Sequence, residues 1–376
     1  MAVKIVRQPN KIALLGAPTS AAAMSLGHEG APAALRAAGL IERLTSIGYS
    51  VTDLGDDPQQ LYQPDEESPR ARNIPRVIAA LEALKPRVEL AVKSGALPLV
   101  LSGDCSVVLA TIAGVRRYFR HVGLVYMDRD ADLHTPATTS TGSVDGMVIS
   151  HVVGRGAAEL VRFWSEPPLV REPDVAVFGV ARIDPAEEEV LNRTPLRSFL
   201  AADVQRKGAA AAAQAAIDRI HVDGHEFVLH FDVDVISDFP ATNYSASGGL
   251  RLDEVREALD VFATKKHLAA IDVSAYNPTK DSDGSGAKLV VDLLVGVLQK
   301  RLEALQEGVP AATAAEPPAA TVTSGKEPES ALPSAAGEAW SSDSLAETSE
   351  SSESSTGAAT EEPSEPAGGS GDSGSQ

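Results

Sequence analysis

The sequence predicts an α/β domain built on a mostly parallel sheet with helices on both faces. Three observations carry this. Compact apolar runs recur between Ile12 and Val273. They read as continuously apolar rather than alternating, as strands buried on both faces do. Helical patterns separate many of them, the signature of strand–helix–strand units.

The elements follow in order. The first ten residues form a short arm. Ile12-Ala13-Leu14-Leu15-Gly16 is a buried strand ending in glycine. Pro32 to Ile47 reads as a helix, with proline near its start and Gly48 after its end. Tyr49 to Leu54 is a second strand, and the polar, proline-containing stretch 56–73 a loop. Ile74 to Lys93 is a long helical pattern interrupted by Pro86. Further strands are expected at Leu97–Leu101, Gly123–Met127, Val175–Val180, Phe227–Phe231 and Leu268–Val273. The alanine-rich run Ala209–Ala216 is read as helix, and Leu289–Leu305 as the last helix.

Composition bounds the function. Apolar residues make up 43% of the 376, ample for a core. The net charge of -19 is uneven. Thirteen acidic residues from Glu307 onward face the single Lys326, which puts roughly -12 in the tail. No basic stripe points to nucleic acid, and no run of about 18 apolar residues points to a membrane span. The lone Cys105 permits no disulfide within the chain and suits a reducing, cytoplasmic setting. Met1-Ala2-Val3-Lys4 lacks the apolar core of a signal peptide. The organisation expected is a folded domain over 10–305 and a Ser/Glu/Pro-rich tail over 306–376. The tail is too poor in large apolar residues to offset its ordering entropy. It is expected to be disordered, most simply as a spacer.

The chemistry concentrates in carboxylates at strand ends. Asp128-Arg129-Asp130-Ala131-Asp132 follows the strand Gly123–Met127, and Asp232-Val233-Asp234 follows Phe227–Phe231. If the first strand continues, alternation puts three carboxylates on one face, an unfavourable arrangement unless a cation neutralises them. Hard oxygen ligands suit Mn, Mg or Ca. A two-cation site of this kind can generate hydroxide at neutral pH. The blander reading, in which each Asp caps a helix or makes a turn, holds for any one of them but explains five at this spacing less well. Ser102-Gly103-Asp104-Cys105-Ser106 is weak alone, since Cys105 can ligate metal or pack as a small hydrophobe.

These residues resemble a known family. Leu15-Gly16-Ala17-Pro18 and the segment Gly30 to Leu40 are similar to the N-terminal region of arginases, and the resemblance runs to about residue 305. It implies a three-layer α/β/α fold, hydrolysis of guanidino or formimino compounds at a binuclear Mn2+ centre by a metal-bridging hydroxide, and a homo-oligomer, trimer or hexamer. It also implies roles. Cys105 falls at a metal-binding histidine. Asp128, Asp132, Asp232 and Asp234 match ligands, and Asp130 replaces a second ligand histidine. Asp145 falls at a proton-shuttling histidine. Thr139 and Thr141 fall where a substrate carboxylate is held, and His134 replaces an asparagine there. Asp184 and Glu187 fall where an α-amino group is held. The guanidinium-binding glutamate falls at Ala275.

Each family histidine ligand or shuttle is therefore replaced, and Ala275 offers no charge to a guanidinium. Losing such a charge-assisted partner costs about 1.5–3 kcal/mol, which makes arginine itself a poor candidate. Three readings follow: an active binuclear hydrolase of a guanidino or amidino C–N bond, a non-catalytic relative with a binding or assembly role, and a hydrolase of another substrate class. His121, His225, His230 and His267 read as surface or core histidines, with a supporting role beside Asp232 the minority reading for His230. His28 and His151 match no ligand position.

Overall fold

Among the described residues, eight strands form one sheet in which each neighbouring pair runs parallel. The computed structural model describes residues 5–164, 166–220 and 225–307; the acidic tail expected over 306–376 lies outside them except for Gln306 and Glu307, which are helical. The strands are β1 (Lys11–Ala17), β2 (Ser50–Asp56), β3 (Leu97–Ser102), β4 (Val122–Met127), β5 (Val175–Val180), β6 (Arg197–Leu200), β7 (Glu226–Asp232) and β8 (Leu268–Ser274). Their spatial order is β2-β1-β3-β8-β7-β4-β5-β6. The helices are α1 (Ala31–Ala37), α2 (Leu40–Ser46), α3 (Ile74–Lys93), α4 (Val108–Arg116), α5 (Val148–Val152), α6 (Ala158–Val161), α7 (Pro185–Arg193), α8 (Ala201–Lys207), α9 (Ala209–Ile220), α10 (Leu252–Ala263) and α11 (Ser285–Glu307).

Strand alternation sorts the core into two layers. Leu14, Leu99, Val125, Leu229 and Ile271 pack with α1, α2 and α8–α11 on one face. Leu15, Val100, Leu124, Val177 and Ala270 pack with α3–α6 on the other. This is the three-layer arrangement expected. Among the described residues no helix is long and apolar enough to cross a membrane.

Three local expectations differ from the structure. The helix expected over 32–47 is two helices, parted at Gly39, whose φ of +84° is left-handed. Pro86 does not interrupt α3. Its cost of about 3 kcal/mol is outweighed by a buried face of Val77, Ala80, Leu81, Leu84, Val88, Ala91 and Val92, at about 1.5–3 kcal/mol for each large side chain. The edge strand β6, Arg-Ser-Phe-Leu, is additional; its residues are half-buried or exposed and carry no continuous apolar signal.

The five central strands β3, β8, β7, β4 and β5 are neighbours. Their carboxyl ends deliver Asp104-Cys105, Ala275, Asp232-Asp234, Asp128–Asp132 and Arg182–Asp184 to one edge of the sheet, where parallel sheets bind ligands.

Candidate metal centre and substrate cavity

Gly103 pins three strand ends together. Its N–H donates to Ala17 O at 3.1 Å, and its carbonyl accepts from Ala275 N at 2.9 Å. A Cβ there would lie 1.8 Å from Thr19 O, so only glycine lets these backbones meet. The next residue, Asp104, is buried and accepts from Thr19 Oγ1, Ala22 N and Ser106 Oγ. Cys105 is thereby held with its Sγ 2.9 Å from Asp232 Oδ2 and 3.2 Å from Ser274 Oγ.

The carboxylates after β4 converge by a turn, not by strand alternation. β4 stops at Met127, so the expectation of three carboxylates on one face of a continuing strand is corrected. Asp128 Oδ1 accepts from Asp130 N at 2.7 Å, and Asp132 adopts a left-handed φ of +51°. Tyr126 Oη donates to Asp132 Oδ2 at 2.5 Å. After β7, Asp232 Oδ1 accepts from Asp234 N at 2.7 Å. At Asp128 and Asp232 the turn-making role and the convergence thus coexist, because each uses one oxygen for the backbone.

Two donor clusters result. Cys105, Asp128, His230 and Asp232 each place a ligand atom within 4.8 Å of the others, and so do Asp128, Asp130 and Asp234. Asp128 belongs to both. Asp128, Asp132, Asp232 and Asp234 are buried. Burial, then the charges of neighbouring carboxylates, pushes Asp128 and Asp132 well above the usual range. Burial and the charge of Asp234 do the same to Asp232. Asp234 rises to about 6 through burial and the charge of Asp130. Asp145 accepts from Cys105 N at 2.9 Å, and burial followed by the charge of Asp104 pushes it up to about 8. Burial and the charge of Asp232 also push the Cys105 thiol up. Packed carboxylates of this kind call for a cation, and the donor chemistry fits divalent metal ions. Two guanidinium groups already lie at the second cluster. Arg182 bonds Asp130 through Nε and Nη2 at 2.8 and 2.7 Å. Arg129 Nη2 lies 3.5 Å from Asp130 and 3.9 Å from Asp234.

Above the carboxylates opens a cavity of about 280 Å³. Cys105, Asp128, Asp130, Asp132, His134, Thr139, Thr141, Asp145, Asp184, Glu187, Asp232 and Asp234 all line it, so the structure brings together all twelve residues singled out from the sequence. Thr139 Oγ1 accepts from Thr141 N and Gly142 N at 3.2 and 2.9 Å, which shapes one rim. Asp184 and Glu187 form a capping box on α7. Their oxygens also have other partners: Asp184 Oδ2 lies 2.7 Å from His134 Nε2, and Glu187 Oε1 accepts from Leu133 N at 3.0 Å. Ala275 is buried with φ +64° and does not line the cavity. Sequence reasoning passed over Arg182 and Tyr244, which line the cavity. It also read His230 chiefly as a surface or core histidine, although the His230-Phe231-Asp232 alternation was a readable signal.

A parallel sheet with acidic clusters at its carboxyl edge, beside a cavity of small-molecule size, defines the α/β class to which the chain belongs. The chain belongs to the arginase family, whose model matches residues 10–299. It is 28% identical over 297 residues to the arginase of Bacillus caldovelox, covering 77% of this chain and 99% of that one. It is 27% identical to the arginase of Bacillus subtilis strain 168, covering 77% and 98%. The crystal structure of arginase from Bacillus cereus superposes with a TM-score of 0.71 at 27% identity, covering 77% and 98%.

Proposed function

We propose that this chain is a binuclear metal hydrolase that cleaves a C–N bond of a guanidino or related amidino compound. The observation that carries this is the pair of donor clusters sharing Asp128 on the floor of one cavity. Cys105, Asp128 and Asp232 are assigned to one cation and Asp128, Asp130 and Asp234 to the other, with Asp132 as a further carboxylate ligand at the cavity floor. Carboxylate oxygens predominate, which favours Mn2+ and up to two cations per chain. Two cations held there would supply Lewis-acid polarisation and would make a bound water acidic enough to be deprotonated at neutral pH.

The chain's own residues do the rest. Asp145, at the cavity wall beside Cys105, carries the proton to the departing amine. Thr139, Thr141 and His134 hold the far end of the substrate. Asp184 and Glu187 present negative charge to a cationic group, and an amine seated there exchanges with the His134 contact to Asp184. The 280 Å³ cavity admits a small molecule. With no carboxylate at Ala275 to grip a guanidinium, the substrate is assigned to the wider guanidino and amidino class rather than to arginine.

The test is a screen of guanidino and amidino compounds for urea or amide-nitrogen release by the Mn2+-loaded chain, with Asp128→Asn/Asp232→Asn as control. Release that disappears in the control supports the assignment. Release unchanged in the control, or absent from the wild type across the class, counts against it and favours a non-catalytic role.

A further inference from the structure

His230 is fully buried on β7, paired with Tyr126 of β4 and Asp272 of β8. Its ring lies flat against Tyr126, with centroids 4.3 Å apart and planes 6° apart. Nδ1 is 2.9 Å from Asp272 Oδ1. Asp272 is itself held on both oxygens: Ser102 Oγ donates to Oδ1 at 3.0 Å and Thr111 Oγ1 to Oδ2 at 3.1 Å. A carboxylate so fixed requires Nδ1 to carry the proton. Nε2 is then the nitrogen with a free lone pair. It lies 3.2 Å from Ser274 Oγ, which is itself 3.2 Å from Cys105 Sγ. One ring nitrogen of His230 falls within 4.8 Å of the donors of Cys105, Asp128 and Asp232; Nε2, on the side of Ser274, is the nitrogen that Asp272 does not hold.

We propose that His230 Nε2 is a direct ligand of the first cation, with Asp272 as its positioning residue. The proposal rests on the metal-binding reading above and refines it. A carboxylate holding the far nitrogen of an imidazole is how proteins commonly set a ligand histidine's tautomer and direction. The imidazole is thus supplied from β7, one alternate position before Asp232, on a chain that has cysteine at 105 and aspartate at 130. The donor set of the first position becomes one thiolate, one imidazole and carboxylate oxygens. That mixture favours zinc over manganese, whereas the second cluster offers oxygen alone. The two positions therefore differ in metal preference.

The experiment loads the full-length, metal-stripped chain with one equivalent of Zn2+ and reads the zinc-edge X-ray absorption. Expected are one sulfur and one imidazole in the zinc shell. The imidazole contribution should persist in His134→Gln and vanish in His230→Gln, with the sulfur retained. With Mn2+ and Zn2+ in competition, zinc should displace manganese from the first position. Sulfur and oxygen without imidazole in the wild type would overturn the assignment of His230 and leave the hydrolase reading standing. A wild type that takes up no metal would overturn both. If His230→Gln does not fold, the wild-type and His134→Gln spectra decide the question, because they report the imidazole directly.

Discussion

Asp130 cannot give both oxygens to a cation while Arg182 holds them. The two contacts, at 2.8 and 2.7 Å, form a bidentate charge-assisted pair. Such hydrogen bonds contribute about 1.5–3 kcal/mol when shielded. The Arg182 side chain is 69% exposed, however, and that of Asp130 only 16%. Exposed ion pairs contribute about 0–1 kcal/mol, so a value between the two regimes, about 1.4 kcal/mol, is appropriate, equivalent to about tenfold in affinity. Arg182→Ala should therefore tighten the weaker of two Mn2+ binding steps by about tenfold and leave the stronger step nearly unchanged. The assay is calorimetric titration of Mn2+ into the metal-free chain, wild type against variant. A second step that is unaltered or weakened would refute the idea that Arg182 competes with a cation for Asp130.

Two further outcomes concern stability. His28 and His151 are buried, and burial lowers each from 6.5 to about 4. The native protein keeps them neutral while the unfolded chain protonates near pH 6.5. Their contribution is thus intact above pH 6.5, is lost as pH falls towards 4, and levels off below that. Each should account for about 2–3 kcal/mol between pH 7 and 4.5. In urea unfolding, His28→Gln or His151→Gln should flatten that dependence, and an unchanged slope would contradict the assignment. Gly103→Ala should destabilise the fold by about 3 kcal/mol or more, because its Cβ would overlap Thr19 O; a melting temperature equal to wild type would show that the strand ends can separate freely.

The central fold was legible in the sequence because β3, β4, β5 and β8 are buried along their whole length and β7 along all but its first residue. Continuous burial writes itself as continuous apolar sequence. The edge strand β6 was not legible, since a half-exposed strand of four residues carries no such signal. The break at Gly39 was hidden because the apolar pattern persists across it, and Pro86 misled because tertiary burial outweighs a local helix cost. At the site, the acidic residues stood out because strand ends concentrate them. The manner of their convergence did not, because the left-handed turn at Asp132 depends on Tyr126 and on the neighbouring strands. Arg182 was opaque for a related reason: its partner Asp130 follows β4, and only the β4–β5 pairing brings the two together. His230 was partly legible from its alternation with Asp232, but its hydrogen bond to Asp272 crosses between strands and needed the register.

The claim on which the rest depends is that the buried carboxylates hold divalent metal. It is tested most directly by elemental analysis of the full-length protein, purified with Mn2+ and Zn2+ present and then desalted, alongside Asp128→Asn/Asp232→Asn. About two metal ions per chain in the wild type, falling towards none in the variant, is the expected result. A wild type that emerges folded and free of metal would contradict it.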